Sequence, residues 1–560
     1  MTYRNLNDKE IVQLLRQGCS STDWASIEVA DGFSADYIRN TCFDGSVRIG
    51  TGCHISDVGI IRTTDDATYG EGTVISVLNE AGDGNIVLFS GLTSQMAALM
   101  VRSSNGDTAV WENLKEMTLR EVNSTKAPCT TIGNNVSISS TRELTNVVIG
   151  DDCEIAGAAR LVESTLKSTP EASILISDGV ICDSCIIQAG ASVTDNAKIY
   201  NTFVGEACHI GRGFTSENSV FFANSHMDNG ESCAALCGPF SVSHHKSTLL
   251  IGGEYSFYNA GSNTNFSNHA YKMGPIHWGT LARGSKTASG AHILWPATTG
   301  VFTMVMGKVQ THPVTTDLPF SYLIAEGRKT MAVPGRNLTT VGTYRDIGKW
   351  QKRDRRPRNG RLSMIQYDWL NPLVAGQCLE GIKTLRRIES EMNITEESVE
   401  YNGAVIRRTA IEKGIKLYEM AVQMALLSSL EQHDASLPAT SAGVGEWTDL
   451  LGMAAPESEV AQLRDDIRNE VLTDINDVAE TMKEMHNAYG KYKWAWAYST
   501  IQKIYGIDTM TEDDRRQLIE TLTPARQKWT DAIRHDAMRE YDMGDVSKDE
   551  LDTFVAKLQD

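Results

Sequence analysis

The sequence predicts a mainly β solenoid followed by an all-α helical domain, and two patterns carry this prediction. The first is a six-residue repeat of aliphatic residues between Ile181 and Thr215, a period that neither an α-helix nor an ordinary strand has. Short repeats of this kind are typical of solenoids, in which each coil buries its apolar edge only by stacking on the next. The second is a helical spacing of apolar residues that begins after Trp369.

The phase of the repeat predicts which side chains point inward. With the aliphatic residue counted as the first position, the fifth is small or Phe, and the same register appears near Ile49, Ile132 and Ile149. The pattern resembles the hexapeptide repeat of left-handed parallel β-helices over roughly residues 42–325. This resemblance implies triangular coils of three short strands and a homotrimer. The inward aliphatic residues of the central stretch are expected to be Ile181, Ile187, Val193, Ile199, Val204 and Ile210.

Four segments follow one another along the chain. Residues 1–42 predict an N-terminal helix, capped by Asn7 or Asp8, and a cap for the solenoid. Residues 43–325 are expected to form the β-helix, with a helical insertion near residues 91–122. Residues 326–370 are a basic linker, and residues 371–560 are expected to be helical.

Within the helical domain, apolar residues three and four apart predict a seam of nearly four heptads that pairs within the chain or between subunits. Its members are Val460, Leu463, Ile467, Val471, Ile475, Val478, Met482 and Met485.

Bulk composition excludes several classes of protein. The net charge of -19 over 560 residues argues against a general nucleic-acid binder. No long apolar run and no basic-then-apolar N-terminus is present, so we expect no membrane span, no signal peptide and a cytoplasmic location. Four of the eleven cysteines fall on the fifth repeat position, where a free cysteine acts as a small core residue. They are Cys53, Cys153, Cys185 and Cys208.

Basic residues concentrate between Arg345 and Arg361. Two interpretations stay open: a strap that docks onto the acidic remainder of the protein, or a phosphate-binding strip beside an active site.

Histidines gather in the second half of the predicted solenoid, among many Asn and Ser residues that are poor core material. Because residues one coil apart stack above each other, distant members can meet on one face. The alternative is an asparagine ladder that bonds the turns and carries no activity. The histidines are His226, His244, His245, His269, His277, His292 and His312.

Hexapeptide-repeat proteins are commonly acyltransferases, and the resemblance therefore implies transfer from acyl-CoA to a sugar or amino-sugar acceptor with a histidine general base. The catalytic candidates are His269, which lies beside Asn265 and Asn268, then His245 and His277. The substrate-binding candidates are His244, Asn259, Asn263, Asn265, Asn268, Lys272 and Arg283, and those for the cofactor phosphates are Lys286, Arg353 and Arg355. The sequence alone predicts no residue as a metal ligand.

Two other functions remain open. Some left-handed β-helix proteins are carbonic anhydrases that hold zinc with three histidines across a trimer interface, although the paired-histidine spacing of that family is not matched here. The second open function is that of a non-catalytic scaffold or sugar-binding solenoid. An Asn-rich groove with Trp278 and Trp295 would suit a sugar ligand. The second half of the solenoid also looks like an uncharacterised bacterial family of long hexapeptide-repeat proteins with helical C-termini.

Overall fold

Parallel β-strands stacked in successive coils form the first part of the chain, and a helical region follows. The computed structural model describes residues 2–267, 277–541 and 548–557. The predicted first helix, α1 (Asp8–Arg16), is confirmed, and the side chain of Asn7 caps it by accepting from the N–H groups of Lys9 and Glu10. The strands before the helical insertion are β1 Tyr3–Asn5, β2 Ser20–Ser21, β3 Ile27–Ala30, β4 Ile38–Asp44, β5 Val47–Ile49, β6 His54–Arg62, β7 Val74–Asn79 and β8 Asp83–Val87.

Two helices, α2 (Ser94–Gly106) and α3 (Thr108–Thr125), lie where the repeat is interrupted. The stacked strands resume after them. These strands are β9 Thr130–Ile132, β10 Ser137–Ser139, β11 Glu143–Ile149, β12 Glu154–Ala156, β13 Arg160–Leu166, β14 Leu175–Ile176, β15 Ile181–Ile187, β16 Ser192–Val193, β17 Lys198–Tyr200, β18 Phe203–Val204, β19 His209–Gly211, β20 Thr215–Glu217, β21 Val220–Phe221, β22 His226–Asp228, β23 Glu231–Cys237, β24 Val242–Ser243, β25 Leu249–Tyr255 and β26 Asn265–Ser267.

The last coils are more irregular. Their strands are β27 Gly279–Leu281, β28 Lys286–Thr287, β29 His292–Leu294, β30 Thr298–Thr299, β31 Met304–Met306, β32 Lys308–Val309, β33 Val314–Thr315, β34 Tyr322–Glu326 and β35 Lys329–Val333. Strands β28, β31, β34 and β35 belong to a second sheet of six strands.

Parallel pairing joins the stacked strands to those one coil later, whereas β1–β3, β7–β8 and β34–β35 are antiparallel pairs. Ile176 aligns with Val193, and Val193 aligns with Ile210, so in this part of the stack one coil spans 17 residues. The inward side chains form three aligned columns, one of which changes from Ile199 to the buried serines Ser216 and Ser232. The four cysteines predicted to face the core are buried. All eleven cysteines are free thiols.

The prediction for Ile181 is wrong by one residue. Ile181 is only half-buried, whereas Cys182 is fully buried and aligns with Leu161 and Ile199 in the neighbouring coils. A coil of 17 residues cannot hold three repeats of six, so one of its three repeats is a residue short.

The C-terminal region is mostly helical and is not all-α, because β37 pairs with β35 in the second sheet and β36 pairs with β37. Its strands are β36 Ser398–Tyr401, β37 Ala404–Arg407, β38 Trp447–Asp449 and β39 Ala454–Pro456. The helices after the stack are α4 Val341–Trp350, α5 Pro372–Glu391, α6 Arg408–Gln432, α7 Glu457–Arg468, α8 Ile475–Asn487, α9 Tyr489–Tyr505, α10 Glu512–Tyr541 and α11 Lys548–Ala556.

The predicted heptad seam is divided between two helices. Helix α7 ends at Arg468 and α8 begins at Ile475, and Val471 between them is 69% exposed. The other seven apolar residues of the seam are buried. Their burial within one chain agrees with intramolecular packing, in which α7 and α8 pack against α3. None of the described helices combines the length and the hydrophobicity that crossing a bilayer requires.

Candidate functional site

One outward face of the stack carries a column of polar side chains. On this face Ser192, His209 and His226 align in three successive coils. The next coils continue the same column with Val242, then Asn259 and Lys286. Side chains at aligned positions of parallel strands lie side by side on one face. The stacking therefore brings together residues that are far apart in the sequence.

A second column lies two residues along, where Gly211 aligns with Asp228. The two columns converge on the carboxylate of Asp228. The Nε2 atom of His226 lies 3.0 Å from Oδ2 of Asp228, and Nε2 of His209 lies 3.3 Å from Oδ1. The rings of the two histidines are 4.6 Å apart between centroids. The three side chains offer two nitrogens and one oxygen within 4.8 Å of one another.

Asp228 is buried, with only 2% of its side chain exposed. Its Oδ1 atom accepts no hydrogen bond from the described residues, although Nε2 of His209 lies 3.3 Å away. The nearest cation is Arg212, whose Nε lies 3.6 Å from Oδ2 and whose side chain is 65% exposed. An unsatisfied buried charged oxygen costs at least about 1–3 kcal/mol. The arrangement is therefore typical of a binding site in which a ligand or cation contacts this oxygen.

The orientation of His209 is held from its other side. Its Nδ1 atom lies 2.8 Å from Oγ of Ser192, so Nε2 faces Asp228. Burial lowers the pKa of His209, and the neighbouring His226 lowers it further, while Asp228 opposes both effects. A neutral imidazole has one nitrogen with a lone pair available for a proton or a metal.

His244 follows on the next coil, and its ring centroid lies 5.9 Å from that of His226. Burial lowers the pKa of His244, and His245 and His226 contribute in the same direction. Within the described part of the chain, neither ring nitrogen of His244 makes a hydrogen bond. This imidazole is therefore available to a ligand.

Helix α4 and the segment after it form the opposite wall of a cavity of about 660 Å³. This wall carries three basic residues, Lys349, Arg353 and Arg355, and one carboxylate, Asp346, which pairs with Lys349 at 2.9 Å. Lys286 reaches across from the stack, and its Nζ lies 2.5 Å from Oδ2 of Asp346. The cavity thus has imidazoles and a carboxylate on one side and positive charge on the other.

Of the residues predicted to form a site, five line this cavity. They are His244, Asn259, Lys286, Arg353 and Arg355. The predicted general base His269, together with Asn268 and Lys272, lies outside the described residues. Lys286 is already engaged, because it also donates to the carbonyl of Gly342 at 2.9 Å. Its position ties α4 to the stack.

Five other predicted residues are not among those that line the cavity: His245, His277, Asn263, Asn265 and Arg283. His245 contacts the ring of His244 at 4.3 Å, and His277 precedes β27, but neither is among the described residues that line the cavity. Asn263 lies in a turn, where its N–H donates to the carbonyl of Lys246, and Asn265 aligns with His292 in β29.

Arg283, predicted to bind substrate, is instead a buried structural residue with 1% of its surface exposed. Its guanidinium lies 4.0 Å from the ring centroid of Phe257 and donates to the carbonyls of Gln366 and Gly452. These bonds join the stack to the helical region.

Trp295, which the sequence suggested as part of a sugar-binding groove, is not available to a ligand. This side chain is fully buried, stacks on Phe266 at 5.0 Å between ring centroids, and donates from Nε1 to the carbonyl of Ile251. Trp278 is half-buried and packs against the apolar cluster of the helical insertion. Neither tryptophan lines the cavity within the described residues.

Sequence reasoning missed His209, Arg212 and Asp228. These residues could be identified from the coil length, because residues one coil apart are aligned. His209 and His226 are 17 residues apart, as are Gly211 and Asp228. Counting by six identifies the inward residues but does not show which outward residues are aligned.

The fold and the cavity define a protein of mostly parallel, stacked strands with a mainly helical C-terminal region and a site lined by imidazole, carboxylate and basic groups. The family model described as "Domain of unknown function (DUF4954)" matches residues 3–52 and 48–389. The chain belongs to this family. A second model, "Domain of unknown function (DUF6819)", matches residues 430–548. Neither description names a hexapeptide repeat or a reaction.

A relative from Treponema pallidum (strain Nichols), described as "Uncharacterized protein", is 24% identical over 383 residues. The alignment covers 57% of this chain and 52% of that protein, so the chain matches about half the length of the relative. The prediction that the chain belongs to an uncharacterised family is confirmed, whereas the family match does not test the hexapeptide-repeat part of that prediction.

Proposed function

We propose that the cavity is the active site of a transferase that moves an acyl group from acyl-coenzyme A to a sugar or amino-sugar acceptor. One observation carries the proposal: the imidazole of His244, which makes no hydrogen bond to a described residue, and the side chains of Arg353 and Arg355 line a single cavity. Proton transfer and binding of an anionic co-substrate both need groups of these kinds, placed within reach of one molecule.

In the proposed reaction His244 accepts the proton of the acceptor hydroxyl or amine as that atom attacks the thioester carbonyl. A bond forms between the acceptor and the carbonyl carbon, the carbon–sulfur bond breaks, and coenzyme A leaves as a thiolate that takes up a proton. Arg353 and Arg355 are suited to the cofactor phosphates, because guanidinium groups bind phosphate in two-pronged geometry.

We also propose that the stacked coils form a left-handed β-helix of the hexapeptide-repeat type, and that three chains associate. The five- and six-residue spacing of the buried side chains from Ile176 to Ile210 supports the first proposal. Sedimentation equilibrium would test the second.

Calorimetric titration with acetyl-coenzyme A tests the proposed function. We expect saturable binding to the wild-type chain, a loss of affinity of at least about tenfold in the double variant Arg353→Ala/Arg355→Ala, and no change in the matched control Arg358→Ala. Arg358 is an exposed arginine of the same segment that does not line the cavity.

The variant His244→Ala separates binding from chemistry. It should still bind acetyl-coenzyme A, because the phosphates contact the opposite wall. Absence of binding to the wild-type chain, or equal binding to the double variant, would remove the acyltransferase proposal.

A further inference from the structure

We infer that His209, His226 and Asp228 form a binding site for one divalent transition-metal ion, with zinc as the ion that suits the ligands best. This inference goes beyond acyl transfer and does not depend on it. It also differs from the three-histidine zinc site considered from the sequence, because the ligands are two histidines and one carboxylate from adjacent coils of one chain.

The donor atoms, one from each residue, lie within 4.8 Å of one another, so small side-chain movements would bring them to the spacing of a metal site. A tetrahedral zinc with bonds of about 2.0–2.1 Å holds its ligand atoms about 3.3 Å apart. Nε2 of His209 lies 3.3 Å from Oδ1 of Asp228, and Nε2 of His226 lies 3.0 Å from the other carboxylate oxygen, Oδ2. Two imidazoles with one carboxylate favour zinc and its neighbours over magnesium or calcium, which prefer oxygen ligands.

An oxygen that accepts no hydrogen bond from the described residues lies in this cluster. Oδ1 of Asp228 is buried and receives no hydrogen bond among the described residues, although Nε2 of His209 is close by. A bound cation would satisfy this oxygen and leave both imidazoles as neutral ligands. The contact between Ser192 and Nδ1 of His209 supplies the outer support that ligating histidines commonly have.

Space for the ion is kept open by Gly211. A Cβ atom at this position would lie 2.7 Å from Nε2 of His209, 2.9 Å from Oγ1 of Thr194 and 3.0 Å from Oδ1 of Asp228. Gly211 is in strand β19, and its φ lies outside the left-handed region, so its backbone would accept alanine. The small residue is therefore explained by the space it leaves among three polar atoms.

Arg212 is the competing cation. Its Nε lies 3.6 Å from Oδ2 of Asp228, but the side chain is 65% exposed and free to turn towards solvent when an ion binds. Since His209, His226 and Asp228 all line the cavity, positions on the metal that are not filled by protein would face the bound substrate.

The test is metal analysis of the full chain by mass spectrometry after dialysis against equimolar zinc and then buffer, with cobalt absorption as a second readout. We expect one zinc per chain in the wild type and in the control His54→Ala, which removes an exposed histidine of β6. The variants His209→Ala and Asp228→Asn should lose affinity by about 100-fold or more. Gly211→Ala should weaken binding while all three ligands remain.

Far-ultraviolet circular dichroism and melting curves without metal show whether each variant is folded. The inference is overturned if the folded wild type retains no zinc, or if Asp228→Asn and His209→Ala bind it as tightly as the wild type. Metal binding without binding of acetyl-coenzyme A would keep this site and remove the acyltransferase proposal, and the converse result would do the opposite.

Discussion

Glu206 and Arg356 form a buried ion pair, with Oε2 and Nη1 3.3 Å apart and with 6% and 2% of their side chains exposed. Glu206 belongs to the strand stack, and Arg356 belongs to the basic segment. The same carboxylate accepts from the N–H groups of Leu362 and Ser363 at 3.0 Å. These contacts fix the segment against the stack, so it serves as a strap while its Arg353 and Arg355 line the cavity.

Replacing Arg356 with alanine should strongly destabilise the protein. The change leaves the carboxylates of Glu206 and Asp354 buried without their main cation, and removing one partner of a buried pair costs about 3–5 kcal/mol. Urea unfolding measures the loss, and Arg358→Ala should change stability by less than about 0.5 kcal/mol. Equal stability of the two variants would show that the strap does not depend on this pair.

Asp354 should make stability fall in acid. Burial acts to raise the pKa of Asp354, but hydrogen bonds from Arg356 and Tyr367 outweigh it and hold the pKa well below its usual range. A carboxylate whose pKa is lower in the folded than in the unfolded state stabilises the protein at pH values above its unfolded-state pKa, which is about 3.9 for Asp. This stabilisation is lost progressively as the pH falls from that value towards the folded-state pKa.

The variant Asp354→Asn should therefore be less stable at pH 7, and its deficit should shrink below about pH 4. Urea midpoints at pH 7, 5, 4 and 3 measure this effect. A deficit that stays constant over the series would show that the carboxylate charge is not responsible.

Lys286 should hold helix α4 rather than a cofactor phosphate. Its Nζ contacts Asp346 and the carbonyl of Gly342, both in α4. The variant Lys286→Met keeps the apolar stem and should speed amide exchange of α4 roughly fivefold to tenfold, or about 1 kcal/mol. Hydrogen-exchange mass spectrometry measures the change, and Lys352→Met on the exposed surface is the control. Unchanged exchange would mean that α4 is held by other contacts.

Trp295 should behave as a core residue. Its truncation to alanine removes a fully buried indole that stacks on Phe266, and should cost about 3–5 kcal/mol. Thermal or chemical unfolding measures the loss. The half-buried Trp278 should cost less when truncated. A Trp295→Ala protein of wild-type stability would contradict the packing described for this coil.

The stacked strands could be predicted because their signal is local. A buried aliphatic residue every five or six positions follows from the apolar edge that each coil must bury, and Ile187, Val193 and Ile199 are buried as expected. The prediction that Ile181 faces inward is wrong because counting by six does not reveal a coil of 17 residues. The shorter coil places Cys182 at the inward position.

The site could be predicted only in part, because it depends on alignment between coils and on contacts between distant segments. The sequence places His226 and His244 in a cluster of polar residues. Asp228 is not distinguished from other acidic residues until the structure aligns it with Gly211 of the neighbouring coil. The basic wall depends on the pair of Glu206 and Arg356, which are 150 residues apart. Composition alone could not decide whether the basic segment was a strap or a phosphate site.

The central claim is that the histidine–carboxylate cluster and the basic wall serve one site. Titrating the cobalt-loaded protein with acetyl-coenzyme A while recording visible absorption tests this claim directly. We predict a saturable change in the cobalt bands for the wild type, and a shift of the midpoint to at least about tenfold higher ligand in Arg353→Ala/Arg355→Ala. A cobalt spectrum that does not respond to saturating ligand, or that responds equally in the double variant, would contradict the account.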